Sequence, residues 1–228
     1  MLQAEIEFYG VQRSGNHAII FWFLNNIGGC DKHLYNKIYW NDDTHVYYYN
    51  HVNRRDLHHD THFAKEFNFR IKSYESIEFK PSKTSFLIVR DILNTLTSQH
   101  KHQVTFRNPK KVINTWKQHI KHFNKDKPFD NNVIMYNYWL IDKNYRDRAS
   151  KMLGVSNIVD NTKYVSNIGN GSSFIKRNKE SDIRNYTTRY SQHTLPDNVQ
   201  ELLLQDDEII HINKHLFDID IQKILKPS

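Results

Sequence analysis

The sequence GVQRSGNHA near the N-terminus carries residue types that bind phosphate groups. Gly10 and Gly15 allow backbone angles that turn successive amide N–H groups toward one point, where they form a concave anion-binding nest. Arg13 adds a permanent positive charge between the glycines, and Asn16 and His17 add side-chain donors. The spacing predicts a phosphate-binding loop, against the alternative of a tight turn that binds no ligand.

The spacing of the two glycines equals that of the Walker A loop, G-x-x-x-x-G, but the residues that follow them differ. A Walker A loop continues with Lys and then Ser or Thr, whose hydroxyl holds magnesium. Here Asn16 and His17 follow, and the cation, Arg13, lies before the second glycine. The sequence therefore disfavours a metal-dependent ATPase or kinase, which stays open as an alternative.

A second set of phosphate-binding residue types lies in LIVRDILNTLTS. Arg90 comes at the predicted carboxyl end of a buried strand, where a guanidinium can form two parallel hydrogen bonds with a phosphate. Ser98 follows eight residues later, about two helical turns along the next predicted helix, and its hydroxyl can donate to the same anion. The chain therefore has two predicted anion-binding corners, each at the end of a strand.

The elements that must position these residues alternate between strands and helices. Strands are predicted at 4–10, 44–50, 69–74, 85–90 and 132–136, and helices at 16–26, 92–103, 109–124 and 139–153. No element is predicted in the polar segment between the first helix and the second strand. An ordered loop or mobile lid is predicted at 166–173, and mostly helical structure at 181–224.

This alternation predicts an α/β fold with a mainly parallel central sheet flanked by helices, because parallel strands need long crossover connections. Ligands of such sheets bind at the carboxyl ends of the strands, where both corners lie. The 228 residues, 38% of them hydrophobic, are enough for one domain with its own core. The helices of 181–224 are expected to pack on this single domain or to cap it.

The composition predicts the cellular location of the protein and the chemical class of its partners. The single cysteine, Cys30, excludes an internal disulfide. The sequence shows neither a signal peptide nor an apolar run of about 20 residues. These features predict a cytoplasmic protein without a membrane span. The net charge of +7 favours anionic partners such as nucleotides, phosphates or acidic sugars. The basic residues are spread along the chain, which disfavours specific binding of nucleic acid.

Together the two corners resemble the sulfotransferases that use 3′-phosphoadenosine 5′-phosphosulfate (PAPS). RSGNHA, 13–18, resembles their 5′-phosphosulfate loop, which typically reads Lys or Arg, Ser, Gly, Thr, Thr, and it also resembles a divergent bacterial and viral branch of that family. Arg90 and Ser98 match the spacing of the 3′-phosphate element. The chain departs from the pattern at Asn16 and His17, where threonines are usual, and at Ile92, where proline is usual.

Weaker similarities extend the resemblance over most of residues 4–174, and the C-terminal helices match least. VIMYNYW, 133–139, resembles the strand whose tyrosine lies near the adenine, a place that Tyr136 would take. NIGNGSSF, 167–174, resembles a Gly-Ser-Ser-Phe segment of related chains.

The resemblance implies a P-loop nucleoside-triphosphate-hydrolase-like (sulfotransferase) architecture. It also implies a metal-free transfer of a sulfuryl group from PAPS to an acceptor hydroxyl, on a carbohydrate or glycolipid, which leaves adenosine 3′,5′-bisphosphate (PAP). A non-catalytic module that binds a nucleotide or an anionic polymer is the other alternative. The implied cofactor-binding residues are Arg13, Ser14, Gly15, Asn16, His17, Ala18, Arg90 and Ser98, with Arg13 also catalytic.

A sulfotransferase needs a general base for the proton of the acceptor hydroxyl, and in this family it is often a histidine after the first helix. His51 is the predicted base because it directly follows the strand at 44–50 and because the pKa of histidine lies near neutrality. His45, His17 and Glu75 are the competing candidates. The histidine-rich stretch 58–62 lacks the spacing of a zinc site and is predicted to be a solvated loop.

Overall fold

The computed structural model describes residues 5–16, 18–20, 22–23, 34–41, 44–51, 70–75, 78–102, 108–127, 129–154 and 187–226. The strands are β1 Glu5–Gly10, β2 Leu34–Asn41, β3 Thr44–His51, β4 Arg70–Glu75, β5 Ser85–Val89 and β6 Val133–Met135. The helices are α1 Ile92–His102, α2 Pro109–Ile120, α3 Tyr136–Ile141, α4 Lys143–Met152, α5 Asp197–Leu204, α6 Asp207–Phe217 and α7 Ile221–Leu225, with a 3-10 helix at Arg189–Ser191.

The six strands of the described residues form one sheet in the order β2-β3-β4-β1-β5-β6. Strands β4, β1, β5 and β6 pair in parallel, whereas β3 pairs antiparallel with both β2 and β4. The prediction of an α/β fold with a mainly parallel sheet is therefore confirmed over the described part of the chain. Because β3 runs against the parallel strands, its carboxyl end lies at the edge where they begin.

The centre of the sheet is buried, as parallel strands that have helices on their faces require. All five residues of β5 are buried, and β1 buries Ile6 and Phe8. Between them Glu7 accepts hydrogen bonds from the hydroxyls of Tyr9, Tyr74 and Ser85, so the carboxylate within the sheet is satisfied. This continuous core fixes the carboxyl ends of β1 and β5 side by side, with Gly10 opposite Ile88.

Helix α2 shows how local sequence signals set an element. The side chain of Asn108 accepts a hydrogen bond from the amide of Lys111 at 3.0 Å, and Pro109 takes the first helical position, as predicted. The buried ring of Trp116 donates from Nε1 to the carbonyl oxygen of Arg90 at 2.7 Å. This bond ties the helix to the carboxyl end of β5.

Two element predictions were wrong. The polar segment before the second predicted strand contains β2, which pairs with β3 along eight residues and forms an antiparallel extension of the sheet. The single helix predicted at 139–153 is two helices, because Asp142 has an extended backbone and its carboxylate caps α4 by accepting from the amide of Asn144. Gly154, with φ of 75°, ends α4 as expected.

The described C-terminal helices share the core of the sheet domain. Val199, Leu203, Ile209 and Ile221 are buried in the same apolar cluster as the sheet. The ammonium of Lys117 on α2 lies 3.0 Å from a carboxylate oxygen of Asp206, the N-cap of α6. None of the described helices is both long and apolar enough to cross a membrane. The predicted loop or lid at 166–173 lies outside the described residues.

Candidate functional site

The chain between β1 and the next helical residues forms a tight, left-handed turn. The amide of Ser14 donates to the carbonyl of Val11 at 2.9 Å, and the amides of Ala18 and Ile19 donate to the carbonyl of Gly15. Arg13 and Gly15 both have positive φ, 73° and 103°. Such alternation of backbone conformation is typical of an anion-binding nest, and it lies here at the start of a helix.

Both glycines of the loop are required by close contacts. A Cβ on Gly10 would lie 2.3 Å from Oδ1 of Asn16 and 2.5 Å from Oγ of Ser14, so the absence of a side chain lets the loop fold back on itself. A Cβ on Gly15 would lie 2.2 Å from the ring of Tyr136, the first residue of α3. The glycine spacing therefore reflects packing against two neighbouring elements as well as backbone freedom.

Asn16 supplies a buried donor within this loop. Its side chain is 3% exposed, and its Oδ1 accepts a hydrogen bond from the hydroxyl of Ser14 at 2.7 Å. Its Nδ2 is buried and has no hydrogen-bond partner among the described residues. A buried donor that lacks a partner costs about 1–3 kcal/mol, a cost that a bound anion would remove. The loop is thus arranged to favour a ligand that accepts hydrogen bonds.

Arg90 lies beneath the loop. Its guanidinium is buried, with Nη1 3.5 Å from the carbonyl oxygen of Arg13, and it packs 5.1 Å from the centre of the Tyr136 ring. The two predicted corners therefore meet at one edge of the sheet. Tyr136, which the resemblance placed near an adenine, is itself buried between Gly15 and Arg90.

Gln99, which the sequence analysis missed, holds the neighbouring loop residue. Its Nε2 donates to the carbonyl oxygen of Gln12 at 2.7 Å, and the residue is buried. Arg90 and Gln99 thus bind two consecutive loop carbonyls, those of Arg13 and Gln12. A glutamine among the other polar residues of α1 gives no local signal of such a role, because the contact joins residues 87 positions apart.

Ser98 forms a second polar contact on α1. Its buried hydroxyl accepts a hydrogen bond from Nη1 of Arg189, in the 3-10 helix, at 2.9 Å. Arg189 is 8% exposed, and the sequence analysis did not identify it. The structure thus adds a guanidinium from the C-terminal part of the chain to the serine of the predicted second corner.

Further positive charge surrounds this contact. The rings of His100 and His193 lie 4.9 Å apart between centroids. Burial, together with the charges of His100 and Lys101, lowers the pKa of His193. Burial and the charge of Arg189 lower the pKa of Lys101. Burial is the larger cause of both shifts, and the positive charges near Arg189 add to it; such charges favour an anion.

The structure does not bring His51 to the loop. Tyr49 pairs with Ile71, which is level with Ile6 of β1, and His51 lies two residues farther from Gly10. The separation along the strands is thus six residues, or about 20 Å. The expectation that a residue following this strand reaches the loop is not met, because β3 runs antiparallel to β1.

The competing candidates for the base lie differently. Glu75 pairs with Gly10, and His45 lies near the start of β3, at the register position of Glu75. Their backbones are therefore at the same edge of the sheet as the loop. His17 lies outside the described residues, as does the histidine-rich stretch 58–62. Among the described residues, no group of three or more His, Cys, Asp or Glu could hold a metal ion.

No family model, no curated protein and no solved structure matches this chain.

Proposed function

We propose that this chain is a sulfotransferase that binds PAPS at the loop after β1 and transfers its sulfuryl group to a hydroxyl acceptor. The observation that carries the proposal is the hydrogen bond from Arg90 to the carbonyl of Arg13, which joins two anion-binding elements at one edge of the sheet. A nucleotide with a phosphate on each side of its ribose needs two such elements close together. The resemblance of both elements to a P-loop-like sulfotransferase architecture supports the same assignment.

The loop is the proposed site of the 5′-phosphosulfate. The positive charge of Arg13, the amides of Gly15 and Asn16, and the buried Nδ2 of Asn16 are the donors proposed for it, with Ser14, His17 and Ala18 completing the segment. Ser98 and Arg189 are the proposed partners of the 3′-phosphate. Arg90 supports the first of these sites by binding the loop carbonyl of Arg13, a role proposed in place of its predicted one as a direct phosphate ligand.

The reaction makes demands that this site can meet. The acceptor oxygen forms a bond to sulfur while the bond from sulfur to the 5′-phosphate oxygen breaks, and the proton of the acceptor passes to a general base. Negative charge grows on the departing phosphate oxygen, where fixed donors lower the barrier without reorganisation. In this proposal Arg13 and the loop amides stabilise that charge. No step requires a metal ion.

The proposal is tested first by ligand binding. We expect PAP to raise the melting temperature, since a ligand at a hundred times its Kd stabilises the folded protein by about 2.7 kcal/mol. PAP should also bind more tightly than adenosine 5′-monophosphate (AMP), which lacks the 3′-phosphate. ATP with magnesium is the competing ligand, and stabilisation by ATP-magnesium alone would contradict the proposal. Arg13→Ala should weaken PAP binding. The matched control, Lys83→Ala, removes an exposed cation just before β5, at the opposite edge of the sheet.

The assignment of the base is tested by turnover. We expect His45→Ala or Glu75→Gln to lower the rate of sulfuryl transfer by about 10²- to 10⁴-fold with PAP affinity retained, because a general base acts on the acceptor proton. His51→Ala is the control from the opposite edge and should keep wild-type turnover. Loss of turnover in His51→Ala, with none in the other two variants, would reverse this assignment.

A further inference from the structure

Asn94 lies at the centre of a buried polar network at the start of α1. The carboxylate of Asp91 accepts from the amide of Asn94 at 2.7 Å, from its Nδ2 at 3.0 Å, and from Nδ2 of Asn137 at 2.9 Å. The amide of Asp91 in turn donates to Oδ1 of Asn137 at 3.2 Å. Asp91 and Asn94 are fully buried, so this network orients the side-chain amide of Asn94 rigidly.

The same side-chain amide binds the backbone of the C-terminal segment. Its Nδ2 donates to the carbonyl oxygen of Thr187, and its Oδ1 accepts from the amide of Arg189, both at 2.6 Å. Both hydrogens of Nδ2 are therefore in use, one on Asp91 and one on Thr187. An asparagine supplies this combination of donors and acceptor, whereas an aspartate of the same shape has no donor.

Two residues of one helical face hold Arg189. Asn94 binds its backbone amide, and Ser98, four residues later on α1, binds its guanidinium. Residues four apart lie on the same side of a helix, so the two contacts act on the same segment. Arg189 is held at its main chain and at the tip of its side chain, which fixes where its charge lies.

We infer that Asn94 is a positioning residue, which sets the affinity of the site for the second phosphate by holding Arg189 against Ser98. This inference rests on the proposed function, because the second phosphate is that of PAP. Asn94 touches no ligand in this account. Because Asn94 already holds Arg189, the guanidinium loses little conformational entropy when the ligand binds, and this increases the affinity.

The test compares PAP with AMP, which lacks the 3′-phosphate. We expect Asn94→Ala to weaken PAP binding by about tenfold, because the backbone of Arg189 loses the hydrogen bond that holds it in place, and to change AMP binding by less than about twofold. The ratio of the two Kd values, measured by titration calorimetry, is the readout that a loss of overall stability does not move. Equal weakening of both nucleotides would overturn the inference.

Two further variants keep the test decisive. Thr95→Ala on the same helix removes a buried hydrogen bond to the carbonyl of Asp91 and should leave the PAP to AMP ratio unchanged. If Asn94→Ala does not fold, Asn94→Ser takes its place, because a serine keeps a smaller polar group there. Adding Arg189→Ala to either Asn94 variant should then weaken PAP little further, since both changes act on one contact. Full additivity would overturn the inference.

The outcomes separate this inference from the proposed function. A wild-type protein that shows no preference for PAP over AMP contradicts the proposed function itself. A wild-type protein with that preference, retained in the Asn94 variant, contradicts the positioning role and leaves the function standing.

Discussion

The two proposed anion-binding corners of this molecule are built in opposite ways. The loop corner takes its shape from a few consecutive residues, with positive φ at Arg13 and Gly15 and backbone amides as the main donors. The second corner joins Ser98 to Arg189 through side chains that are 91 positions apart. The first corner depends on the conformation of the local backbone, whereas the second forms only when distant segments of the chain pack together. Helix α1 connects them, because Gln99 binds the loop and Ser98 binds Arg189.

The largest expected effect comes from adding a methyl group to the loop corner. Gly15→Ala should abolish PAP binding and lower the free energy of unfolding by about 3 kcal/mol, because the new Cβ meets the Tyr136 ring at positive φ. Gly154→Ala is the matched control, since Gly154 has φ of 75° and no atom of the described residues lies within 4 Å of its Cβ position. It should cost about 1 kcal/mol and leave binding intact. If Gly15→Ala and Gly154→Ala change the free energy of unfolding and PAP binding equally, as measured by denaturant titration and calorimetry, the close contact of Gly15 does not shape the site.

A charge placed in the loop should come next. Asn16→Asp keeps the shape of the side chain but replaces its buried Nδ2 donor with a carboxylate oxygen. We expect PAP and AMP to lose affinity alike, by about 100-fold, because both place a phosphate in the loop and like charges repel. Asn16→Ala, which only removes the donor, should cost about tenfold. Retention of AMP binding in Asn16→Asp would show that the 5′-phosphate does not bind here.

A change in the second corner should discriminate between the nucleotides. Arg189→Gln is expected to weaken PAP by about 30-fold and AMP by less than twofold, because its guanidinium bonds to Ser98, the proposed partner of the 3′-phosphate that AMP lacks. Calorimetry of both ligands measures the contrast. If Arg189→Gln weakens AMP as strongly as PAP, the two corners do not bind separate phosphates.

The same contrast explains what could be predicted from the sequence. β1, β5 and α2 carry their signals locally, in alternating or continuous apolar residues and in the Asn108-Pro109 cap, and these predictions were confirmed. Of the two loop glycines expected to supply unusual backbone angles, Gly15 has positive φ, whereas Gly10 is the last residue of β1 and the other positive φ of the loop is at Arg13. Gln99 and Arg189 could not be found in this way, because their partners depend on how distant segments pack.

The errors also have physical causes. The stretch LYNKIYWN is rich in aromatic and branched residues, a strand signal that its polar residues obscured, and it forms β2. The direction of β3 could not be read from its residues, because the direction depends on the strands with which β3 pairs. That direction separates His51 from the loop.

The smallest expected effect is a dependence of stability on pH at the second corner. Burial and the charges of His100 and Lys101 hold the pKa of His193 below its usual value, so the folded protein binds a proton there less readily than the unfolded chain. The stability due to neutral His193 is present above pH 6.5 and is lost as the pH falls below it, toward the lowered folded-state pKa. The His193→Gln variant should therefore lose less free energy of unfolding than the wild type when the pH falls from about 7.5 to about 5.5, two values that bracket this range. Denaturant titrations at both pH values measure the difference. An equal loss in both proteins would contradict the lowered pKa of His193, and with it the combined effect of burial and of the neighbouring positive charges.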